Sequence, residues 1–191
     1  MSKKDIKLAI ILEAAGDAKR FGRNKLLEPM SNGHPMVCHI LDIVRDIDVY
    51  KKIIVTQYET VASMADGFEV VLNQHPELGI SLSMQLGIEA AGDADAYMFC
   101  VCDQPHLKAS TISKLIETYA EASQESDSVI ASLSCRGHMY NPKIFSSIYK
   151  DELMSLSGDI GGRQIIKKHL DDLILVEATS EDEVIDIDVP F

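Results

Sequence analysis

The sequence predicts an α/β fold in which helices cover both faces of a mostly parallel, twisted sheet. Residues 8–12 and 97–102 are short unbroken apolar runs, typical of strands that are buried on both faces. Segments with apolar residues at helical spacing lie between such runs, and this alternation predicts a doubly wound sheet in three α/β/α layers. The chain has 191 residues, of which 46% are hydrophobic, and one domain is expected over residues 1–191.

The predicted elements alternate along the chain. Strands are predicted at residues 8–12, 52–56, 69–72, 97–102, 128–133 and 173–178. Helices are predicted at residues 35–47, 60–66, a segment that ends near residue 91, 110–123, 142–149 and 164–169. Residues 134–141 are interpreted as a loop or an edge strand. Because ligands of such sheets bind beyond the carboxyl ends of the strands, each strand end is a candidate site.

The charge balance limits the kinds of partner. The chain has 30 acidic residues against 18 basic ones, a formal net charge of −12. Nucleic acids and anionic membranes both require an extended basic face, so neither is expected as a partner. No apolar run approaches the roughly twenty residues of a membrane span, and residues 1–7 lack the apolar region of a signal peptide. A cytoplasmic location is therefore expected.

The first strand ends in a loop of small residues that is followed by positive charge. Ala14, Ala15 and Gly16 have little or no side chain, so the backbone can turn tightly and its N–H groups can approach a ligand. Four basic residues follow within seven positions: Lys19, Arg20, Arg23 and Lys25. This charge at a strand end suits a triphosphate, although neither GxxxxGK[ST] nor GxGxxG is present. The alternative is a solvated basic loop after a core strand.

The end of the third strand leads into a second polar cluster. Asn73 follows the strand, and Gly79, Ser81 and Ser83 lie where the next helix begins. An amide, a glycine and two hydroxyls at a helix N-terminus can supply hydrogen bonds to a base or sugar. The alternative is ordinary capping of this helix by Ser81 or Ser83.

A carboxylate directly follows the apolar run of residues 97–102. Asp103 is well placed to hold a Mg²⁺ that bridges phosphate oxygens, and it is expected to face residues 19–25 across one crevice. The alternative is a turn-forming Asp before Pro105. Asp188 is a second candidate Mg²⁺ ligand. The glycine-rich turn of residues 156–163 is a candidate site for a second anion.

Together these segments resemble the molybdenum cofactor cytidylyltransferase family, a branch of the MobA-like NTP transferases with a Rossmann-like nucleotidyltransferase fold. That family has a strand, then Ala-Ala-Gly, Arg, a hydrophobic residue with Gly, two variable residues and Lys. Its later motifs are Asn, Gly-x-Ser-x-Ser, Asp-Gln-Pro, Gly-Asp-x-Gly and Asp-Ile-Asp-x-Pro. The matching positions are residues 14–16, 20–22, 25, 73, 79–83, 103–105, 158–161 and 186–190.

The resemblance implies roles for the residues at the matching positions. The catalytic residues would be Arg20, Lys25 and Asp103, and the Mg²⁺ ligands would be Asp103 and Asp188. The nucleotide-binding residues would be Ala14, Ala15, Gly16, Arg20, Lys25, Asn73, Gly79, Ser81 and Ser83. The acceptor-binding residues would be Gly158, Asp159 and Gly161.

The activity that the resemblance implies is transfer of CMP from CTP to the phosphate of a molybdopterin, with release of pyrophosphate. Because the acceptor phosphate is itself the nucleophile, no nucleophilic side chain is required. Two alternatives stay open. One is a nucleotidyltransferase that acts on a sugar phosphate or another phosphorylated acceptor, and the other is a carrier that delivers molybdopterin to an apo-enzyme. A molybdoenzyme client would then be a protein partner.

The sequence departs from the family pattern at three places. Glu13 stands where relatives usually carry Leu or Thr, and it places a carboxylate beside the nucleotide. Ala18 replaces a usual Ser, which removes one hydroxyl near the phosphates. Residues 140–142, Tyr-Asn-Pro, replace Gly-x-Pro unless Gly137 and His138 take that role, so the acceptor pocket is expected to differ in shape. Guanylyltransferase relatives carry Gly at the position of Ala15, and the extra methyl here favours CTP over GTP.

Overall fold

A computed structural model describes residues 5–16 and 24–187, and these contain a seven-stranded sheet. Its spatial order is β3-β2-β1-β4-β6-β5-β7. Only β6 among the described strands runs antiparallel to its neighbours. The strands are β1 (Leu8–Ala14), β2 (Lys51–Thr56), β3 (Glu69–Leu72), β4 (Ala96–Val101), β5 (Ile130–Cys135), β6 (His138–Ser146) and β7 (Leu173–Glu177).

Helices connect these strands, as the periodicity of the sequence predicts. The α-helices are α1 (Met36–Arg45), α2 (Glu59–Met64), α3 (Ile80–Ala91), α4 (Ala109–Ala122), α5 (Lys150–Met154) and α6 (Arg163–Lys168). Short 3₁₀ helices are formed by Lys25–Leu27, Pro76–Leu78, Ser147–Tyr149, Leu170–Asp172 and Glu181–Val184. None of the helices in the described part of the chain is long and apolar enough to cross a membrane.

Two apolar clusters, one on each face of the sheet, confirm the predicted three layers. Ile10 and Leu12 of β1 belong to the cluster that includes buried residues of α1, α2 and α4. Ala9 and Ile11 belong to the other cluster, with buried residues of α3, α5 and α6. Because successive residues of a strand point to opposite faces, a strand covered on both faces must be apolar throughout. This explains the unbroken apolar run in β1.

Helix α3 lies unusually close to β1. A Cβ atom built on Gly87 would stand 2.4 Å from Cγ2 of Ile11, so no larger residue fits without displacement. Residues four apart share one side of a helix, so Ser83, one turn earlier, lies on the same side of α3 as Gly87. The close approach at Gly87 therefore places the start of α3 over the carboxyl end of β1.

The prediction of a helix over residues 142–149 is wrong. These residues belong mainly to β6, which lies between β4 and β5. Residues 134–141 form the end of β5, a two-residue turn and the start of β6, so they are not an edge strand. Lys143 pairs with Ser132 but Tyr140 pairs with Leu133, so Pro142 falls in a bulge of the ladder. Pro lacks an N–H group and is tolerated in a strand at such a bulge. The sequence signal for Pro at a helix start was therefore misleading.

Candidate active site

The carboxyl ends of β1, β2 and β4 meet at one edge of the sheet and form a crevice. Ala14 of β1 is in register with Thr56 of β2, and Glu13 of β1 is in register with Val101 of β4. The residues that follow these strands therefore lie side by side. This is the edge at which a doubly wound sheet binds its ligands.

The loop of small residues after β1 is held by three side chains, one from the last residue of β2 and two from the residues that follow this strand. Each donates a hydrogen bond to a different backbone carbonyl, and we call this set the β2 clasp. The bonds run from Thr56 Oγ1 to Ala14 O (3.1 Å), from Gln57 Nε2 to Ala15 O (2.9 Å) and from Tyr58 Oη to Gly16 O (3.1 Å). The clasp is not among the features predicted from the sequence, although the run Thr-Gln-Tyr at a strand end is a visible signal.

The structure brings Lys25 and Asp103 together across the crevice. Lys25 Nζ donates to Asp103 Oδ2 over 2.6 Å, and the two side chains are only 17% and 16% exposed. Asn24 fixes the approach of Lys25, because its Oδ1 accepts a hydrogen bond from the Leu26 N–H over 3.0 Å. Leu26 is buried and anchors this turn in the core.

Four buried polar atoms in this crevice lack a hydrogen-bond partner among the described residues. They are Glu13 Oε1, Asn24 Nδ2, Asp103 Oδ1 and Gln104 Oε1. Leaving a buried polar group unsatisfied costs roughly 1–3 kcal/mol, so clusters of such atoms are rare outside functional sites. Their grouping at one strand edge indicates a site that binds a polar ligand.

The carboxylate oxygen of Asp103 in this crevice suits a magnesium ion. Asp103 Oδ1 is a hard oxygen atom, buried and unpaired within the described residues. No group of three or more Asp, Glu, His or Cys side chains in that part of the chain could hold a metal. Mg²⁺ suits such a sparse site, because it commonly takes one or two carboxylates together with substrate phosphates and water. Asp103 therefore meets the requirement for one protein ligand.

Two predicted site residues lie outside the described residues. Arg20 falls in the segment 17–23, and Asp188 falls in the segment 188–191. The neighbour of Asp188 is described: the Ile187 N–H donates to the Asp103 carbonyl over 3.0 Å. Ile187, the last residue before that segment, therefore lies beside Asp103.

In the segment predicted to bind the base, the structure overturns the alternative of capping by a serine. Helix α3 begins at Ile80 with Gly79 as its cap, so capping by Ser81 or Ser83 is wrong. Both serines are buried, and Ser83 Oγ accepts a hydrogen bond from Asn73 Nδ2 over 3.2 Å. Asn73 also accepts from the His75 N–H over 2.9 Å. Asn73 thus fastens the start of α3 to the end of β3, while its contact with a base stays a prediction.

The glycine-rich turn predicted for the acceptor lies against this same segment. Gly79 has a φ of +88°, and a Cβ atom there would stand 2.3 Å from the carbonyl carbon of Gly158. The Ser81 N–H donates to Gly158 O over 3.2 Å. The backbone nitrogen of Asp159 belongs to the same contact, 2.7 Å from that Cβ position. Gly161, two residues later, is half-buried. The segments assigned to nucleotide and acceptor are therefore neighbours, which their distance in sequence did not indicate.

Two ionisable side chains that are distant in sequence, Glu13 and Lys143, lie near each other beside the same crevice. Burial raises the pKa of the Glu13 carboxyl to about 8, with Lys143 opposing this shift and Asp103 adding to it. Burial lowers the pKa of Lys143 to about 8, opposed by Glu13. Lys143 Nζ donates to Asn141 Oδ1 over 2.7 Å. Lys143 was missed because residues 142–149 were assigned to a helix.

A buried carboxylate anchors the segment that leads to Asp188. Glu183 has no exposed surface and accepts hydrogen bonds from side-chain and backbone donors of three residues, Lys108, Thr111 and Thr179. Burial opposes its ionisation, but these donors outweigh burial and lower the pKa of the Glu183 carboxyl. Glu183 therefore ties residues 179–187 to the start of α4.

Replacing Glu183 by Gln is expected to lower the free energy of unfolding by about 1.5–3 kcal/mol at pH 7, because hydrogen bonds to a charged group are lost. The folded-state pKa is lowered, so this stabilisation is present above the ordinary Glu pKa of about 4.3. It disappears as the pH falls through the folded-state pKa, so wild type and variant should converge in acid. Urea unfolding at several pH values measures the difference in the free energy of unfolding between wild type and variant. The control is Glu181→Gln, since Glu181 pairs with Arg136 at the surface, and equal stabilities of the two variants at pH 7 would contradict the anchor.

Comparisons with known proteins give a family model and a curated relative that match this chain. The model of the MobA-like NTP transferase domain matches residues 9–173. Bifunctional protein GlmU of Desulfitobacterium hafniense strain Y51 is 28% identical over 118 residues, which are 59% of this chain and 26% of that protein. The chain thus spans about a quarter of the length of this curated relative.

Solved structures share the fold over nearly the whole chain. Rv0371c from Mycobacterium tuberculosis H37Rv has a TM-score of 0.78 and 20% identity, covering 96% of this chain and 94% of that chain. A nucleotidyl transferase from Methanothermobacter thermautotroptrophicus has a TM-score of 0.80 and 23% identity, covering 96% and 92%. The predicted α/β fold of the nucleotidyltransferase type is therefore confirmed.

Two further solved structures contain ligands. Rv0371c in complex with manganese has a TM-score of 0.68 and 18% identity, covering 90% of this chain and 89% of that chain. CMP:2-keto-3-deoxy-manno-octonic acid synthetase complexed with CTP has a TM-score of 0.72 and 13% identity, covering 96% and 94%. At these identities the likeness shows a common fold.

Proposed function

The chain belongs to the family of MobA-like NTP transferase domains, whose model matches most of its length, and on this premise we propose that it transfers CMP from CTP to the phosphate of a molybdopterin. Pyrophosphate is the second product. The observation that supports this most is the crevice, in which Lys25 contacts Asp103 and four buried polar atoms have no hydrogen-bond partner among the described residues. The proposal includes a single domain over residues 1–191 and a cytoplasmic location, as the sequence predicts.

The residues of the crevice suit phosphoryl chemistry without a side-chain nucleophile. The acceptor phosphate attacks the α-phosphorus of CTP, and the bond to the pyrophosphate oxygen breaks. Lys25 would offset the negative charge that builds on the departing pyrophosphate. Asp103 and Asp188 would hold Mg²⁺, which when bound neutralises phosphate charge and polarises the α-phosphate. The β2 clasp would keep the loop of residues 14–16 in one shape beneath the phosphates.

The ligands of the structural neighbours are consistent with this proposal. Rv0371c binds manganese, a divalent cation, and the octonic acid synthetase binds CTP. Those ligands belong to those proteins. They support a divalent metal and a cytidine nucleotide here because the fold is common and the Asp103 donor is suitable for such a metal.

The deciding experiment is release of pyrophosphate from each NTP with Mg²⁺, measured with and without a molybdopterin acceptor. The proposal expects release from CTP that depends on molybdopterin. A sugar phosphate tested in the same assay examines the alternative acceptor. Molybdopterin binding without pyrophosphate release from any NTP would favour the carrier instead and overturn the proposed activity.

CTP is expected to bind more tightly than GTP. The methyl of Ala15 should narrow the space beside the base, and Ala15 is held in place because its carbonyl accepts from Gln57. A methyl-sized steric difference is worth about 1–3 kcal/mol, so we expect a preference of about ten- to two-hundred-fold. Calorimetric titration with CTP, UTP and GTP measures it on wild type and Ala15→Gly. Equal or tighter binding of GTP by wild type would overturn the cytidylyl assignment, and an unchanged preference in Ala15→Gly would exclude the methyl as its cause.

A further inference from the structure

Glu13 and Lys143 lie on the same face of the sheet, on either side of β4. Glu13 is in register with Val101 and Lys143 with Phe99, two residues earlier on β4. Directly opposed residues of neighbouring strands point to the same face, and so do residues two apart in one strand. Both side chains therefore project into the layer between the sheet and helices α3 and α6.

A glycine contact brings a second cation to Lys143. A Cβ atom built on Gly162 would stand 2.5 Å from the ring of Phe145, so the turn before α6 lies flush against β6. Phe145 is two residues from Lys143 and on the same face of β6. Arg163, the next residue of the turn, is close enough to Lys143 for its charge to help lower the lysine pKa.

The negative groups near Lys143 compensate the positive charge of its ammonium only in part. Its ammonium donates to the neutral amide oxygen of Asn141. Glu13 is the first negative group that acts on it, but burial favours the neutral form of that carboxyl. Asp186 also attracts Lys143, yet it is exposed and its Oδ1 accepts from Gln104 Nε2 over 2.9 Å. A half-buried ammonium beside a guanidinium is costly unless an anion joins it.

We propose that Lys143 is an anion-binding residue of the acceptor side of the crevice, and that it binds the acceptor's phosphate. The inference rests on the proposed function, since that reaction requires a phosphate near the α-phosphate of the nucleotide. Lys143 is placed for this role because β6 adjoins β4, whose end leads to Asp103. Arg163 at the exposed rim is the second cation that the phosphate meets. Glu13 lies near the ammonium but, because burial favours its neutral carboxyl, does not supply the missing anion, and it is not a ligand of the phosphate.

The test uses inorganic phosphate as the probe, titrated calorimetrically with and without saturating CTP and Mg²⁺. With CTP present, the triphosphate site is filled and the remaining phosphate binding reports the acceptor side. Lys143→Met should weaken this binding about tenfold or more, because a charge-assisted hydrogen bond is lost. Lys143→Arg should retain most of the affinity. Glu13→Gln should bind phosphate about as tightly as wild type, because burial already favours the neutral form of the carboxyl that is replaced.

Two results would overturn the inference. One is wild-type phosphate affinity in folded Lys143→Met. The other is an equal loss of affinity in Glu13→Gln, which would show that the pair is structural. Thermal unfolding of each variant confirms that the protein is folded. If Lys143→Met does not fold, the phosphate affinity expected for Lys143→Arg can still be measured.

The outcome is separable from that of the proposed function. If wild type neither binds CTP nor releases pyrophosphate, the proposed function fails, while the titration without CTP still reports on Lys143. If wild type is active, Lys143→Met should raise the KM for the acceptor about tenfold and leave the KM for CTP unchanged. An unchanged acceptor KM in that active protein would overturn only the role of Lys143.

Discussion

Asp103→Asn should abolish pyrophosphate release while the protein remains folded. The substitution removes the negative charge of the proposed metal ligand with almost no change in size. Loss of a metal-positioning charge costs several kcal/mol in the transition state, and about 4 kcal/mol corresponds to about a thousandfold in rate. The structure adds a reason to expect folding: an Asn oxygen can still accept the hydrogen bond from Lys25, which is 2.6 Å from Oδ2.

The measurement is turnover at saturating Mg²⁺, with thermal unfolding recorded on the same samples. A matched control is Asp93→Asn, because Asp93 is exposed and precedes the opposite end of β4. That variant should turn over like wild type. If folded Asp103→Asn turns over at a near-normal rate, the assignment of Asp103 as the metal ligand is wrong.

Lys25→Ala is expected to lower the rate far more than it lowers stability. Removal of one group that stabilises transition-state charge typically costs a factor of about 10²–10³ in kcat. The ion pair with Asp103 is largely shielded from solvent, so its loss should cost about 1–3 kcal/mol in the free energy of unfolding, between the values for exposed and buried pairs. A solvated lysine, the alternative that the sequence leaves open, would contribute only within about ±0.5 kcal/mol to stability.

Steady-state rates and urea unfolding measure the two effects separately. Lys114→Ala is the control, because Lys114 lies on the exposed side of α4. It should change neither quantity appreciably. Normal turnover in Lys25→Ala would contradict the catalytic role of Lys25 and favour the alternative, a solvated basic loop after β1.

The sheet could be predicted because of where its strands are buried. Strands such as β1 and β4 are covered on both faces, and this condition leaves an apolar run that is readable in the sequence. Strand β6 is interior too, but Pro142 and the bulge interrupt its pattern, and Pro followed by apolar residues resembles a helix start. The error there concealed Lys143.

The site was predictable only where strand ends determine it. Lys25 and Asp103 meet because parallel strands present their carboxyl ends at one edge, which topology alone implies. The anchor at Glu183 and the contact of Gly79 with Gly158 depend on tertiary packing between distant segments. Such contacts leave no periodicity in the sequence, so they could not be inferred from it.

The β2 clasp has a thermodynamic consequence. A loop already held in its binding shape gives up less conformational entropy when a ligand arrives, and ordering one residue costs about 1–2 kcal/mol. The carbonyls of Ala14, Ala15 and Gly16 are each fixed by a donor from β2 or its end. With the proposed nucleotide at residues 14–16, its affinity is therefore expected to be coupled to side chains that need not touch it. In energetic terms, the proposed binding site extends into the neighbouring strand.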